Sequence, residues 1–419
     1  MARTTGGRPA RSRTALALGA LAAAAALTLA GCSAGGDGDE LTVWHYYTLD
    51  NQLKMIDEYA KTFAESHPDV TVDYVYVPMD QMNSKLIAAA GAKTGPDIVI
   101  ADGFNIGTLA GAGTLAPLDE QWNGYADKDQ FAEGALKSVD GTVYGVQGHV
   151  NSLALWYNQD ILDEVGIAPP TSMSELEAAL AAVTAAGHEG ITLSGDPTIQ
   201  GAFQSYSWLT DAGFSYDNPQ AAPVEAAFAR ARGWIEKGYL SPQASTWDQN
   251  VPFSEFLAGN VAFAQNGNWQ LTSARADASF RFGVVPLPLS DTGRIYLGGE
   301  AESIGAFAER PDLAWDYLQK TYLSAQGQVT ALAAVGSLPT RGDASKAEAI
   351  SADPVLSAFA SAMAAQGAPY PDATLPPRDA EKILLASAQA WSSALSGAAS
   401  PADAAAEFLR TAQPLLGRR

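Results

Sequence analysis

Aromatic residues that stand beside amide and carboxyl side chains are the feature of this sequence that most directly suggests a chemistry. Trp269 is surrounded by Asn and Gln within residues 265–270, and Trp44 lies in a strand-like run at 41–47. An aromatic face stacks on the apolar C–H face of a sugar ring, while carboxyl and amide groups bond its hydroxyls. The pattern favours a cleft that holds a neutral polyol without reacting with it.

Two carboxylates, Glu300 and Glu302, offer a different chemistry. They follow a Gly-Gly pair and come just before a predicted strand at 303–307. Glycoside hydrolases use two carboxyl groups as acid and as base or nucleophile. The chain contains 46 acidic residues, so composition alone places some pair near any cleft. A glycoside hydrolase therefore stays open as an alternative function.

The sequence contains no motif that is typical of a metal site or of a cofactor-binding site. The four histidines show no spacing typical of metal ligands, and the sequence has no phosphate-binding loop of the Gly-x-x-x-x-Gly-Lys type. We therefore expect neither a metal nor another cofactor.

The elements that must position these residues alternate between strand and helix. Strand patterns occur at 41–47, 70–77, 97–101, 144–147, 153–157, 190–193, 261–264 and 282–286. Helical patterns occur at 53–63, 80–90, 158–165, 174–186, 200–211, 223–237 and 312–323. This alternation predicts an α/β fold with parallel sheets, in which ligands bind beyond the carboxyl ends of the strands.

The N-terminal residues resemble an export signal that ends at an anchoring cysteine. Four arginines among the first 13 residues precede an apolar run at 14–30, which is typical of a signal peptide. Leu29-Ala-Gly-Cys32 resembles the site at which lipoproteins are cut and acylated. We predict a signal peptide at 1–31 and a lipidated Cys32. Residues 32–40 would be a flexible tether that holds the protein on the extracytoplasmic face of the membrane.

Composition limits the bonds, partners and number of domains that this chain can have. Cys32 is the single cysteine, which excludes internal disulfides and cysteine-ligated metals. The formal net charge of -21 argues against nucleic acid as a partner, because phosphate backbones are bound by Lys and Arg. The mature chain is long enough for two domains, since single cores stop growing near about 250 to 300 residues.

The order of short motifs resembles the extracellular solute-binding proteins of sugar ABC importers, the broad group that includes maltose-binding protein. The motifs lie at 41–47, 63–70, 85–97, 113–119, 144–146, 154–158, 170–176, 266–269, 285–288, 298–299 and 326–335. They cover nearly the whole mature chain and are specific for the family, not for its ligand.

The resemblance implies a two-lobed, type II periplasmic-binding-protein-like fold, each lobe a mostly parallel sheet flanked by helices, with a hinge between the lobes. We expect an N-terminal lobe at 41–151 plus 285–322 and a C-terminal lobe at 152–284 plus 323–419. The lobes would close on a sugar or oligosaccharide, and the closed form of the monomeric protein would be recognised by the ABC permease. The membrane is reached only through the lipid anchor.

The same resemblance implies a set of ligand contacts, of which Asp102, Trp269 and Glu300 are the strongest candidates. His45 is equally well explained as a structural histidine, and His149 stands where the family often has Pro or a small residue. The full set is Trp44, His45, Tyr47, Asp102, Asn105, His149, Asn151, Trp208, Trp247, Asn268, Trp269, Glu300 and Arg378.

The motifs leave the chemical class of the ligand open. A polyol, a glycerol phosphate diester or a peptide would be an alternative within the same class of receptor. Near the proposed cleft only Arg378 offers a guanidinium fork for an anion, which argues against a doubly charged phosphate.

Overall fold

The computed structural model describes residues 39–417, so Cys32 and the predicted signal peptide lie outside the described residues. Its strands are β1 (Asp39–His45), β2 (Val70–Tyr76), β3 (Ile98–Asp102), β4 (Leu136–Val139), β5 (Thr142–Val146), β6 (His149–Val150), β7 (Leu153–Asn158), β8 (Glu189–Thr192), β9 (Val261–Gly267), β10 (Phe282–Val285), β11 (Ile295–Leu297), β12 (Glu300–Ile304), β13 (Leu338–Pro339) and β14 (Gly367–Pro369). The strand predicted at 303–307 therefore begins three residues earlier, at Glu300.

The helices account for most of the remaining chain. They are α1 (Asp50–Ala64), α2 (Met82–Gly91), α3 (Ile106–Gly111), α4 (Asp119–Gly124), α5 (Gln159–Val165), α6 (Met173–Ala185), α7 (Ile199–Asp211), α8 (Ala221–Glu236), α9 (Val251–Leu257), α10 (Leu271–Asp277), α11 (Pro311–Lys320), α12 (Ala325–Val335), α13 (Glu348–Ala352), α14 (Pro354–Gln366), α15 (Ala380–Ser396) and α16 (Pro401–Leu416). Between residues 39 and 417, no helix combines the length and the apolar character needed to cross a bilayer.

The first sheet contains six strands in the order β2, β1, β3, β12, β5 and β4. β1 and β3 are parallel, whereas β12 is antiparallel to both β3 and β5. β4 and β5 are joined by Asp140 and Gly141, whose φ angles of 52° and 84° suit a two-residue hairpin turn. The expected mostly parallel sheets are thus corrected to mixed sheets, because a tight hairpin joins antiparallel strands and β12 begins beside the end of β3.

The second sheet has the order β10, β7, β9 and β8, with β8 and β9 parallel and the other pairs antiparallel. β9 is buried along its whole length. Helices α7, α8, α15 and α16 pack on one another in the core of this half, and α14 packs on β10. Two sheets, each with its own helices, confirm the predicted two-lobed α/β class.

Alternation along β1 decides which side chains reach the end of the first sheet on each face. Leu41, Val43 and His45 are buried on one face, where they join the core that contains α1. Trp44 and Tyr46 are half-buried on the opposite face. Successive side chains of a strand point to opposite sides, so neighbours in this aromatic run have different environments.

Three chain segments run side by side between the lobes and form the hinge. The first segment, residues 147–152, leads from β5 to β7 and includes β6. β6 pairs with β13 (Leu338–Pro339), which belongs to the third segment. The second segment crosses at Gly298, whose backbone exchanges hydrogen bonds of 3.0 and 2.8 Å with that of Asn151. Their backbone polar groups are therefore satisfied within the hinge itself.

Helix α12 packs against α1, and its Leu332 also joins the core of the second sheet. Its Ala331 and Val335 belong to the same buried core as Leu41 and Val43. The expected boundary at residue 323 assigns this helix to the C-terminal lobe, and its residues join the cores of both halves. The lobe boundaries stay predictions.

Arg341, which follows β13, is buried, and we predict that its loss destabilises the fold. Its Nη1 lies 3.0 Å from both the Tyr125 hydroxyl and the Leu323 carbonyl, and Nη2 lies 2.7 Å from Asp343. Arg341→Ala should lower the free energy of unfolding by about 2 to 3 kcal/mol, because buried acceptors lose a charged donor. Urea unfolding followed by circular dichroism measures this.

The matched control is Arg281→Ala. Arg281 is mostly exposed and contacts Asp160 and Asp163 at 2.7 Å. An exposed ion pair is screened by water and contributes little, so this variant should unfold close to the wild type. Equal losses in the two variants would contradict the structural role of Arg341.

Candidate functional site

A cleft of about 630 Å³ is lined by residues of both lobes. The first lobe contributes Tyr46, Asp102 and Glu300, which lie just after β1, at the end of β3 and at the start of β12. These positions share one edge of the sheet, where ligands of α/β proteins bind. The second lobe contributes Trp269 after β9 and Tyr370 after β14.

Glu300 is held from two sides inside this edge. The Nε2 atom of His149 lies 2.6 Å from Oε2 of Glu300, and the Tyr46 hydroxyl donates to Oε1 at 3.0 Å. Burial disfavours both charges, but the mutual attraction and hydrogen bond outweigh it. They lower the pKa of Glu300 and raise the pKa of His149. The pair is therefore ionised, and Glu300 presents a fixed acceptor to the cleft.

Asp102 lies directly across from Glu300, because the two residues are partners in the β3–β12 register. Removal of water from its carboxyl group, reinforced by the charge of Glu300, raises the pKa of Asp102 to about 8. Burial lowers the pKa of nearby Lys137 to about 8, although Asp102 acts to raise it. Lys137 donates to the carbonyl of Tyr370 at 3.3 Å and is not part of the cleft lining.

Glu302 shares the strand face of Glu300 but is fully buried away from the cleft. Its Oε2 accepts from the Gly148 amide at 2.8 Å, while its Oε1 has no partner. Burial raises the pKa of Glu302 to about 8. The two glutamates are therefore in different protonation states near neutral pH, although only one residue separates them.

An aromatic wall faces the cleft from the second lobe. Phe203 contacts Trp269 and Tyr370 with ring centroids 6.2 and 5.1 Å apart, and Tyr370 contacts Tyr296 at 4.6 Å. A Cβ at Gly267 would lie 1.9 Å from the ring of Trp269, so glycine is required for the indole to lie there. Half-buried Trp269 leaves part of this ring open to the cleft.

Amide side chains connect the cleft to the hinge. Asn151 lines the cleft, and its Oδ1 accepts from Nδ2 of Asn268 at 3.1 Å and from the Ser337 hydroxyl at 2.8 Å. Asn268 is fully buried and also bonds the Ser152 amide and the Gly336 carbonyl, both at 2.8 Å. The network orients the Asn151 side chain at the point where the crossing segments meet.

The structure brings five of the expected contact residues together in the cleft lining. They are Asp102, Asn105, Asn151, Trp269 and Glu300. Two further expected residues, His149 and Asn268, lie outside the lining and hold Glu300 and Asn151 in place.

The first aromatic run contributes Tyr46 rather than its neighbours. Trp44 packs on the apolar cluster that contains Val77, and Tyr47 is buried on the other face of the sheet. His45 is buried beside Tyr47, and its Nδ1 accepts from the Tyr47 amide at 3.1 Å. The buried environment of His45 fits a structural role. Strand alternation explains why His45 and Tyr47 do not line the cleft, whereas Trp44 shares the face of Tyr46 but lies two residues earlier, within the strand.

Three other expected residues also lie outside the lining. Trp208 is buried in the core, where its Nε1 donates to Gln265 Oε1 at 2.8 Å. Trp247 belongs to the same core. Arg378 is exposed and forms an ion pair with Asp140 at 3.1 Å. The guanidinium group of Arg378, which was expected near the ligand, therefore contacts the β4–β5 turn instead of the cleft.

Several residues that line the cleft were not among the ligand contacts expected from the sequence. Tyr76 ends β2 with half of its surface exposed, and Phe203 and Tyr370 come from distant parts of the chain. The alternation in residues 41–47 was the one sequence signal that separates Tyr46 from its neighbours. Among residues 39–417 no cluster of His, Cys, Asp and Glu has the arrangement of a metal site.

Comparison with known proteins identifies the family. Residues 58–358 match the family described as bacterial extracellular solute-binding protein. The match covers more than half of the chain, so this protein belongs to the bacterial extracellular solute-binding protein family. The resemblance noted in the motifs is confirmed, and membership places the protein outside the cytoplasm.

Individual relatives agree with this placement. A maltotriose-binding protein of Pyrococcus abyssi is 27% identical over 338 residues, which are 77% of this chain and 71% of that protein. A galactooligosaccharide-binding protein of Bacillus subtilis is 25% identical over 320 residues, 70% of this chain and 73% of that protein. The GacH receptor of Streptomyces glaucescens superposes with a TM-score of 0.81 at 24% identity, over 91% of this chain and 99% of that chain. These relatives are binding proteins, and the structural likeness shows the same fold.

The raised pKa of Glu302 leads to a prediction about stability and pH. Between the ordinary pKa of a glutamate and about 8, the unfolded chain releases a proton that the folded chain keeps. Stability from this group is therefore full at low pH and is lost as pH rises. Relative to Glu302→Gln, whose amide oxygen can still accept from Gly148, the wild type should lose on the order of 3 kcal/mol between about pH 5 and about pH 8.

Urea unfolding of both proteins across this pH range measures the difference. Glu309→Gln, a change of the same kind at an exposed position, is the control and should follow the wild type. A difference between Glu302→Gln and the wild type that does not change with pH would show that Glu302 is already ionised in the folded state.

Proposed function

We propose that this protein is the substrate-binding component of an ABC importer, which captures a sugar or oligosaccharide between its lobes and delivers it to a membrane permease. The observation that carries the proposal is the pairing of two surfaces across one cleft. Aromatic rings of the second lobe face the acceptors Glu300 and Asp102 of the first. This is the combination that holds a sugar by its ring faces and its hydroxyls.

The proposed contacts combine expected and newly found residues. Trp269 and Tyr370 would stack on or bond the sugar from one side, while Tyr46 and Glu300 would bond it from the other. Asp102, Asn105 and Asn151 complete the set. The names of the two sequence relatives, which bind maltotriose and galactooligosaccharide, support a ligand of more than one sugar ring.

Capture would proceed by closure about the three crossing segments. A ligand that touches both lobes interacts more strongly with a closed arrangement than with an open one, and this difference shifts the equilibrium toward closure. The permease would then recognise the closed surface of a single protein molecule. Delivery thus depends on how strongly the ligand bridges the two lobes.

A covalent step is not part of this proposal. Glu300 is bound by His149 and Tyr46, and Glu302 lies outside the cleft, so these two carboxyl groups do not flank a shared substrate position. The glycoside hydrolase alternative requires release of product from an aryl glycoside and loss of that activity in Glu300→Gln. We expect no product even at high protein concentration.

We also propose that the protein is exported by its N-terminal signal and anchored through lipid on Cys32. The support is the apolar segment that ends in Leu29-Ala-Gly-Cys32 and the acidic, Gly-rich stretch that follows. An anchor would confine the receptor near its permease and so raise its effective concentration there.

Removal of the Trp269 ring should weaken sugar binding. For the sugar that binds most tightly in a panel of mono- and oligosaccharides, Trp269→Ala should raise Kd about thirtyfold, a loss of about 2 kcal/mol, because a buried aromatic anchor is lost. Isothermal titration calorimetry measures both proteins. Trp122→Phe, which changes a buried tryptophan outside the cleft, is the control and should bind like the wild type.

The panel also tests the proposed function as a whole. If no sugar binds more tightly than about 1 mM while the protein is folded, sugar capture fails as the function. If sugars bind and Trp269→Ala has no effect, the function survives and the proposed aromatic contact does not.

The anchor is tested separately with Cys32→Ser. The wild type should incorporate labelled fatty acid and sediment with membranes, whereas the variant should do neither and should bind sugar unchanged. Release of the wild type into the medium without label would exclude lipidation at Cys32.

A further inference from the structure

The charge of the cleft lining has one sign. Among the described residues that line it there are six carboxylic acids and no Lys, Arg or His. The acids come from both lobes, and they are Asp80, Asp102, Asp196, Asp248, Glu300 and Glu381. A cleft that binds anionic sugars requires basic groups, so this lining excludes phosphorylated and acidic sugars as favoured ligands.

Two of these carboxyl groups add little negative charge to the cleft. Glu300 is paired with His149, and the raised pKa of about 8 keeps Asp102 mostly protonated near neutral pH. The electrostatic character of the cleft depends on the other four.

Half-buried Asp196, Asp248 and Glu381 accept their hydrogen bonds from uncharged donors. Glu381 Oε1 accepts from the Asn83 side chain at 2.9 Å, and Asp248 Oδ1 accepts from the Val251 amide at 3.0 Å. Asp196 accepts from the amide of Thr198. Partial burial strengthens the field of a carboxylate, because less water screens it. These groups, with Asp80 at the rim, leave an uncompensated negative potential inside the cleft.

A buried hydroxyl in the lining also has no partner in the protein. Tyr370 is only 2% exposed, and its hydroxyl makes no hydrogen bond. Burial raises the pKa of this hydroxyl, and nearby Asp102 and Glu381 add to the effect, so the group lies within the acidic part of the lining. A buried polar atom without a partner requires one, and in the lining of a cleft a ligand atom can supply it.

The aromatic side chains favour a cation in the same place. Half-exposed Tyr76 and the partly open ring of Trp269 both line the cleft. An ammonium group within about 6 Å of such a ring is attracted by the negative face of its π system. Aromatic faces and uncompensated carboxylates together attract an amine more strongly than a hydroxyl.

We propose that the physiological ligand is an oligosaccharide that carries a basic amino group, and that the cleft binds it in preference to the uncharged sugar of the same size. This inference rests on the proposed function, since it takes sugar capture as given and specifies the class of sugar. Asp196, Asp248, Glu381 and Asp80 supply the attraction, and Tyr370 supplies a donor or acceptor beside them.

The test compares maltotriose with two sets of derivatives by isothermal titration calorimetry at low salt. One set replaces a single hydroxyl of either terminal ring by an amino group, and the other oxidises a terminal C6 to a carboxylate. At least one amino derivative should bind about tenfold tighter than maltotriose, a difference that added salt reduces, and the carboxylate derivatives should bind more weakly.

A charge-removing double variant tests the assigned residues. Asp196→Asn with Asp248→Asn keeps side-chain oxygens that can accept from the same backbone amides. The ratio of the Kd for maltotriose to the Kd for the amino derivative should fall toward one. Glu255→Gln, which removes an exposed carboxylate of α9 outside the cleft, should leave that ratio unchanged.

The outcomes separate this inference from the proposed function. If maltotriose binds and no amino derivative binds more tightly, the preference for an amine is refuted while sugar capture stands. If a preference exists but the double variant retains it, the assignment to these carboxylates is refuted. If neither maltotriose nor any derivative binds the folded protein, the amine preference for this oligosaccharide is refuted, and sugar capture falls only if the whole panel of sugars fails to bind as well.

Discussion

The buried pair of His149 and Glu300 is the interaction on which the rest of this structure depends. It joins β6, a segment that crosses between the lobes, to β12, whose first residue faces the cleft. Tyr46 bonds the second carboxyl oxygen and adds the end of β1 to the same contact. Loss of one partner from a buried pair costs about 3 to 5 kcal/mol, because an unpaired charge is left behind. The geometry of the hinge and that of the binding face are therefore set together.

Much of the fold follows from local patterns that the sequence shows directly. The alternating strands near Val43 and Val72 and the apolar run near Ile100 were expected within a few residues of β1, β2 and β3. The site residues that were expected and line the cleft, such as Asp102 and Trp269, stand where a strand ends. Strand ends are recognisable because periodicity stops there, and the sheet brings them to one edge.

Some residues that were expected to contact the ligand lie outside the cleft, and they do so for one physical reason. Trp208 stands among Gln204, Ser205 and Ser207, a polar neighbourhood that is typical of a binding surface. In the structure this helix is buried along most of its length, and its polar groups are enclosed with it; the Trp208 ring nitrogen bonds Gln265. Polar side chains that pair inside a core cannot be told from exposed ones by composition, because the partner is distant in sequence. The same limit applies to Tyr370, whose place in the cleft depends on the return of the chain after β14.

The hinge glycines show why binding and closure are coupled. Two adjacent glycines suggest free rotation, yet a Cβ at Gly298 would lie 2.6 Å from the ring of Phe203, and one at Gly299 would lie 2.8 Å from Gln147. Glycine is needed here for close approach, so bending at this point alone would break packed contacts. The crossing segments must instead move together, because backbone bonds hold them side by side. Glu300 follows the second glycine directly, so a ligand bonded to Glu300 and to the opposite lobe stabilises one arrangement of all three segments.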